Sequence, residues 1–300
     1  MINGELADRA TELAQERVPF VVATVIRARR PTSLRPGFSA LVRTDGTIEG
    51  FVGGRCAETS VRLHSLRALE TGEPLLLRIV PGEDSGAQPF APDGDDAIGE
   101  AVVERNPCLS GGSIEIFLEP QLPAARLVVV GSTPIADALA TISVAAGFDI
   151  VRVGGEDARP AASDAAVIVA SHGGEEERVL AEALSAGVPY VALVASAVRG
   201  EAVRAALAVP DELKRKLHTP AGLAIGARTP EETAVSILAQ LVSEHHAQPV
   251  RPSVTAAIDP VCSMEVAVTD ETPSLDVDGQ RIFFCSTDCR GSYAAQHATH

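Results

Sequence analysis

The chain has 300 residues, a formal net charge of −15, 46% apolar residues, no tryptophan, eight phenylalanines and two tyrosines. That length exceeds one typical domain, and an apolar content built mainly from Ala, Val, Leu and Ile suits helices packed on a parallel sheet better than an aromatic-rich barrel. The acidic balance excludes a non-specific binder of nucleic acid or of anionic membranes, since both need a basic surface.

The opening stretch, MINGELADRATELAQERVPF, reads as an amphipathic polar helix and not as a basic-then-apolar leader. No segment approaches the roughly 18 apolar residues of a membrane span, so a cytoplasmic protein is expected. In that reducing compartment, five scattered cysteines point to thiol or metal chemistry, not to a disulfide framework. FVVATVIRA (20–28) is rich in β-branched residues and predicts a strand. SALVRTDGTIEGFVGG (39–54) predicts two short strands about the hairpin dipeptide Asp45-Gly46.

GFVGGRCAE (50–58) sets paired glycines, Arg55 and Cys56 just ahead of a helix predicted over 57–69. That helix has Ala57, Val61, His64, Leu66 and Leu69 near one face, and Gly72 ends it. Glycines let the backbone turn sharply and approach a ligand, while the helix start and Arg55 both favour a thiolate at Cys56. Residues 81–96 are too rich in Gly, Pro and acidic side chains to pack and read as a loop. SIEIFLEP (113–120) closes the first unit as a strand. Cys108, in NPCLSGGSIEIF, also stands beside paired glycines, which suggests a site shared with Cys56. Two buried packing thiols are the alternative.

From about 124 to 246 the pattern is a doubly wound parallel sheet, with strands at 126–131, 148–153, 165–170 and 190–194 and Ala-rich helices between most of them. A last helix opens with Thr229 as N-cap, Pro230 at its first position and Glu232 at its third. The first strand leads into VVVGSTPIADALA. Gly131 keeps the first glycine of a dinucleotide fingerprint, but Thr133 replaces the second. Gly154 stands where the ribose-binding acid belongs. This predicts that the unit does not use NAD. The helix start, with the Ser132 and Thr133 hydroxyls, suits some other phosphate-bearing ligand, and a scaffold without a ligand is the alternative. His172, just past a strand end, is placed to meet an anion or move a proton, or it is a loop histidine without a role.

Residues 247–257 are polar and proline-rich, as in a linker. The remaining 258–300 segment is too small for a comfortable core, so a metal would help to hold it. DPVCSMEV supplies Cys262, and FFCSTDC supplies Cys285 and Cys289. Three soft ligands suit Cu(I), or Zn(II) completed by a side chain such as His297 or His300.

Taken together, ATVIRARRPTSLRPGFSALVRTDGTIEGFVGGRCAE and CLSGGSIEIFLEP resemble the N-terminal domain of the XdhC/CoxI family, accessory factors of molybdenum hydroxylases such as xanthine dehydrogenase and carbon monoxide dehydrogenase. ASHGGEEERVLAEALSAGVPYVALVAS and HTPAGLAIGARTPEETAVSILAQLV resemble that family's C-terminal Rossmann-like domain. Residues 258–300, with their DPVC-x-M start and FCS-x-x-C end, resemble a metal-associated YHS domain. The resemblance implies an α+β domain over 1–122, a Rossmann-like α/β domain over 123–246 and a small YHS-like domain over 258–300.

It further implies a maturation factor more than a catalyst. Such a factor binds molybdopterin or its cytosine dinucleotide between the first two domains, supports its sulfuration with a cysteine desulfurase and delivers it to an apo molybdenum hydroxylase, acting as a homodimer. By resemblance, Cys56 matches the cysteine of the family's Gly-Gly-Cys motif, Cys108 its Cys-Gly-Gly cysteine and Gly37 the glycine after its Pro-Arg turn. Arg35, Gly53, Gly54, Arg55 and Glu58 join them in the implied cofactor site. Arg55 is an insertion, and Leu34 stands where the family has an arginine, with Arg35 next to it. A copper-binding C-terminal module would suit a carbon monoxide dehydrogenase client. The rival functions are an NAD(P)-dependent oxidoreductase, which Thr133 and Gly154 oppose, and a copper- or zinc-handling protein acting through 258–300.

Overall fold

The computed structural model describes residues 4–81, 101–106, 112–171, 173, 175–247, 254–277 and 279–297. They form two units: Met1–Pro123 together with Val250–His300, and Ala124–Pro249. The predicted loop at 81–96 lies outside the described residues except for Pro81.

The first unit begins with α1 (Gly4–Gln15), β1 (Phe20–Arg29), β2 (Ser39–Arg43), β3 (Ile48–Gly50) and α2 (Arg55–Thr71). It continues with β4 (Leu75–Pro81), β5 (Val102–Asn106) and β6 (Ser113–Gln121). The strands form one sheet in the order β3-β2-β1-β6-β4-β5, antiparallel except for the β4–β5 pair. Side chains alternate across a strand, and here both faces are used. Val21, Ala23 and Val25 meet Ala57, Val61 and Ala68 of α2 on one face. Phe20, Val22 and Leu41 meet Leu13 of α1 on the other. Gly72 closes α2 in the left-handed conformation, its N–H bonded to Ala68 O at 2.9 Å.

Helix α2 has a second apolar side, and Leu66, expected on the face of Ala57 and Val61, lies on it, because nine residues on from Ala57 at about 100° each carry it half-way round the helix. Leu63 and Leu66 pack on Ala267, Val254 and Ala256 of the C-terminal segment. That segment is two hairpins and a helix: β12 (Ala256–Ile258) with β13 (Glu265–Ala267), β14 (Ser274–Val277) with β15 (Gln280–Phe283), and α8 (Thr287–His297). Its own apolar centre is small, with Met264, Val266 and the fully buried Phe284 as the main members, so α2 supplies much of the surface it needs.

The second unit runs β7 (Arg126–Val130), α3 (Pro134–Ala145), β8 (Asp149–Val153), β9 (Ala166–Val169), α4 (Glu176–Ala186), β10 (Tyr190–Leu193), α5 (Ala197–Ala206), α6 (Asp211–Lys214), β11 (Leu217–His218) and α7 (Pro230–Ala247). Its five strands are all parallel, in the order β11-β10-β9-β7-β8. Leu127 and Val129 face a layer containing α3 and α7, while Val128 and Val130 face a layer containing α4 and α5. Burial on both faces is why these strands are nearly continuous apolar runs. The start of α7 is the expected reciprocal cap: Glu232 N–H donates to Thr229 Oγ1, and Thr229 N–H to Glu232 Oε2, both at 3.2 Å. Among the described residues no helix is long and apolar enough to cross a membrane.

Candidate functional site

The turn into α2 requires glycine at one position. Gly53 has φ +134°, and a Cβ there would stand 2.8 Å from that of Ala57. Gly54 is the N-cap and has no side chain to cap the helix; the Ala57 and Glu58 N–H groups bond Gly54 O, and among the described residues no side chain accepts from the first-turn amides of α2. Cys56 is the second helical residue and is half-buried. It lines a cavity of about 280 Å³ whose apolar wall is Leu34, Ile79, Pro81 and Ile114. The backbones of Gly53, Gly54 and Gly112 complete the wall, and Arg55, Ser286 and Asp288 lie at its polar side.

The other expected members of this site divide. Arg55 sits at the cavity, but its guanidinium turns to α8, donating to Thr287 Oγ1 and lying 4.0 Å from Asp288 Oδ1. Leu34 is buried and lines the cavity, whereas Arg35 is exposed and outside the lining. Gly37 turns the chain back toward β2 at φ +93°, with its N–H on Val25 O at 2.8 Å, also away from the cavity. Glu58 is outside the lining too and interacts with the half-buried Arg62, whose own pKa burial holds below its ordinary value. Cys108 lies outside the described residues, so the expected pairing of Cys56 with Cys108 is not described.

What Cys56 does meet comes from the far end of the chain. Asp259 is fully buried; its Oδ1 accepts the Val261 N–H at 2.8 Å and its Oδ2 accepts the Cys285 N–H at 2.7 Å. Burial pushes this carboxyl up, but those amides, with the Cys285 and Cys262 thiols, hold it below the usual carboxylate range. Asp259 thereby fixes the Cys262 turn against Cys285. Ser286 accepts the Cys289 N–H at 3.2 Å in the first turn of α8 and so fixes Cys289. The Cys262–Cys285 and Cys285–Cys289 sulfur separations are both 3.5 Å, and ligand atoms of Asp259 and the three cysteines all lie within 4.8 Å of one another.

Sulfurs around one tetrahedral ion at the zinc–sulfur distance would be about 3.8 Å apart, so the donor set fits a soft metal. The Cys285 hydrogen bond, with burial, pushes Cys262 up. At Cys285 the Cys262 bond lowers the pKa but is outweighed by Cys56, burial, Asp259 and Cys289, and burial raises Cys289. Crowded thiols of this kind keep their protons until a cation displaces them. Of the two histidines expected to complete the site, His297 is away from it: it is exposed, stacks on Tyr293 and sits 2.9 Å from Tyr293 O, while the carboxylate of Asp259 lies beside the sulfurs. His300 lies outside the described residues. The signal for Asp259 was in the sequence, because an Asp accepting the amide two residues on is a common turn-former.

In the second unit, a cavity of about 600 Å³ opens at the carboxyl ends of β7, β8 and β9, lined by Gly131, Ser132, Thr133, Arg152, Gly154 and Ser171 among others. Ligands of open α/β sheets gather at such a place. Ser132 is exposed there. Thr133 is not available in the way expected. Its hydroxyl caps α3 through the Ala136 N–H at 3.2 Å and donates to Ala170 O at 2.8 Å. Arg152, next to the missing acid, pairs with Asp137. His172 lies outside the described residues.

Two family models match the chain: the XdhC and CoxI family over residues 13–80, which include Cys56, and the XdhC Rossmann domain over residues 127–241. The chain is 28% identical over 264 residues to "Uncharacterized protein YqeB" of Escherichia coli (strain K12). That alignment covers 78% of this chain and 45% of the relative, so the chain spans about half the relative's length. A solved structure described as a xanthine dehydrogenase from Bacillus halodurans is similar at 18% identity and TM-score 0.39, over 81% of this chain and 96% of that one. The cavity-forming turn at Cys56 and the parallel-sheet unit each fall within a matched region, and the chain belongs to the XdhC and CoxI family.

Proposed function

We propose that the chain is a cytoplasmic maturation factor for a molybdenum hydroxylase, binding a molybdopterin-type cofactor in the Cys56 cavity and handing it to the apo-enzyme. The observation that carries this reading is a half-buried thiol in the first turn of a glycine-entered helix, on the wall of a cavity with an apolar side. A flat heterocycle suits Leu34, Ile79 and Ile114, and a phosphate suits the uncapped helix start. The cofactor supplies the redox chemistry; the chain holds, shields and transfers it. Cys56 is the residue best placed to assist sulfuration, with a cysteine desulfurase as the sulfur source, and the working form is a homodimer. In the same reading the C-terminal segment is a YHS-like module that holds copper or zinc through Cys262, Cys285 and Cys289. A carbon monoxide dehydrogenase is the client that such a metal would suit.

Alkylation of Cys56 tests the site. With molybdopterin at ten times its dissociation constant, iodoacetamide labelling of Cys56 should slow by about tenfold, following fractional occupancy. An unchanged rate while the cofactor is bound, as followed by its absorbance, would place the cofactor elsewhere.

A further inference from the structure

The three clustered sulfurs leave one coordination position of a tetrahedral soft ion to be filled. Asp259 is near, but both its oxygens already fix the loop by accepting buried amides, and a soft ion held by thiolates favours a further sulfur over a carboxylate. Cys56 is the one other described cysteine. It packs on the group formed by Met264, Val266 and Cys285, beside but outside the four ligand atoms that lie within 4.8 Å of one another, so ligation requires its side chain to move in. Helix α2 is joined to the cluster at this point, because Thr59 Oγ1 donates to Cys285 O at 2.8 Å across 226 residues of sequence.

We propose that Cys56 is the fourth sulfur ligand of an ion held by Cys262, Cys285 and Cys289, so that one metal site is assembled from both ends of the chain and reaches the cavity through Cys56. This rests on the metal-binding reading of the C-terminal segment given above. Each coordinating thiol gives its proton to solvent, and no atom changes oxidation state. Because Cys56 also lines the cavity, metal loading withdraws from the cavity the thiol that the cofactor would meet, and the two ligands are coupled through one sulfur.

Cadmium is the probe, added to the full reduced chain, since each cadmium–thiolate bond contributes ultraviolet charge-transfer absorbance. The parent should bind about one ion. Cys56→Ser should still bind one, about tenfold or more weakly, with absorbance per ion lower by about a quarter, as one sulfur of four is lost. In the parent, bound cadmium should protect Cys56 from iodoacetamide, read by peptide mass spectrometry. This second arm stands even if Cys56→Ser fails to fold. Unchanged absorbance per ion, or Cys56 labelled equally fast with cadmium on the other three cysteines, overturns the shared ligand and leaves the three-cysteine site intact. No cadmium bound by the parent overturns both.

Discussion

Cys285→Ser should weaken zinc binding by the full chain by more than about 100-fold, since changes outside the ligand shell alone can cost that order. Cys285 is the hub of the cluster: its sulfur is 3.5 Å from both Cys262 and Cys289, and Cys56 adjoins it. A hydroxyl in its place is a poor soft-metal donor and leaves two thiols without their common neighbour. Ser286→Ala makes a graded comparison, because it removes the hydroxyl that fixes Cys289 and no sulfur. Competition with a chromogenic chelator measures both. Parental affinity in Cys285→Ser would show that the sulfurs are gathered without serving as ligands.

Gly131→Ala should destabilise the parallel-sheet unit by about 3 kcal/mol, from roughly equal parts backbone strain and overpacking. Gly131 has φ +124°, and an added Cβ would lie 2.3 Å from Ala170 O and 2.8 Å from Ala170 C. These are backbone atoms and cannot swing aside. Moving them would also disturb the Thr133 hydroxyl that donates to Ala170 O and caps α3. Gly154→Ala is the control: a Cβ there meets nothing within 4 Å, so its effect should stay within about 0.5 kcal/mol. Urea unfolding followed by circular dichroism separates the two. Equal midpoints would mean that Gly131 is kept for a ligand and not for packing.

The contrast at Gly131 shows how much of the fold the sequence carries and where it stops. The strands of the second unit are legible because burial on both faces makes each a short apolar run. The α7 cap is legible because Thr229, Pro230 and Glu232 form a local hydrogen-bonded unit. Strands β4 and β5 were not anticipated. LLLRIVP is an apolar run of strand length, but VVERN carries two charges in five residues, and its place is set by parallel pairing with β4. Long-range docking hides the rest. Spacing alone brings Cys285 and Cys289 to one helix start, whereas the meeting of Cys56 with Cys285 depends on α2 having a second apolar side. Glycine context suggests Cys108 as the partner of Cys56, and Cys108 lies outside the described residues; among those described, the cysteine that Cys56 packs beside is Cys285, from the opposite end of the chain. Thr133 looked like a ligand group by position, yet its hydroxyl is consumed by the turn that it caps.

The most direct measurement of the central claim is mass spectrometry of small molecules released from the chain after purification from a molybdate-fed host, alongside Cys56→Ser prepared identically. The parent should release a molybdopterin-derived pterin in near-stoichiometric amount and the variant little, although the variant should fold normally, since one sulfur-to-oxygen change at a half-buried site removes little apolar area. Absence of any pterin from the parent, or equal pterin in both, would contradict the assignment of the Cys56 cavity as the cofactor's holding site.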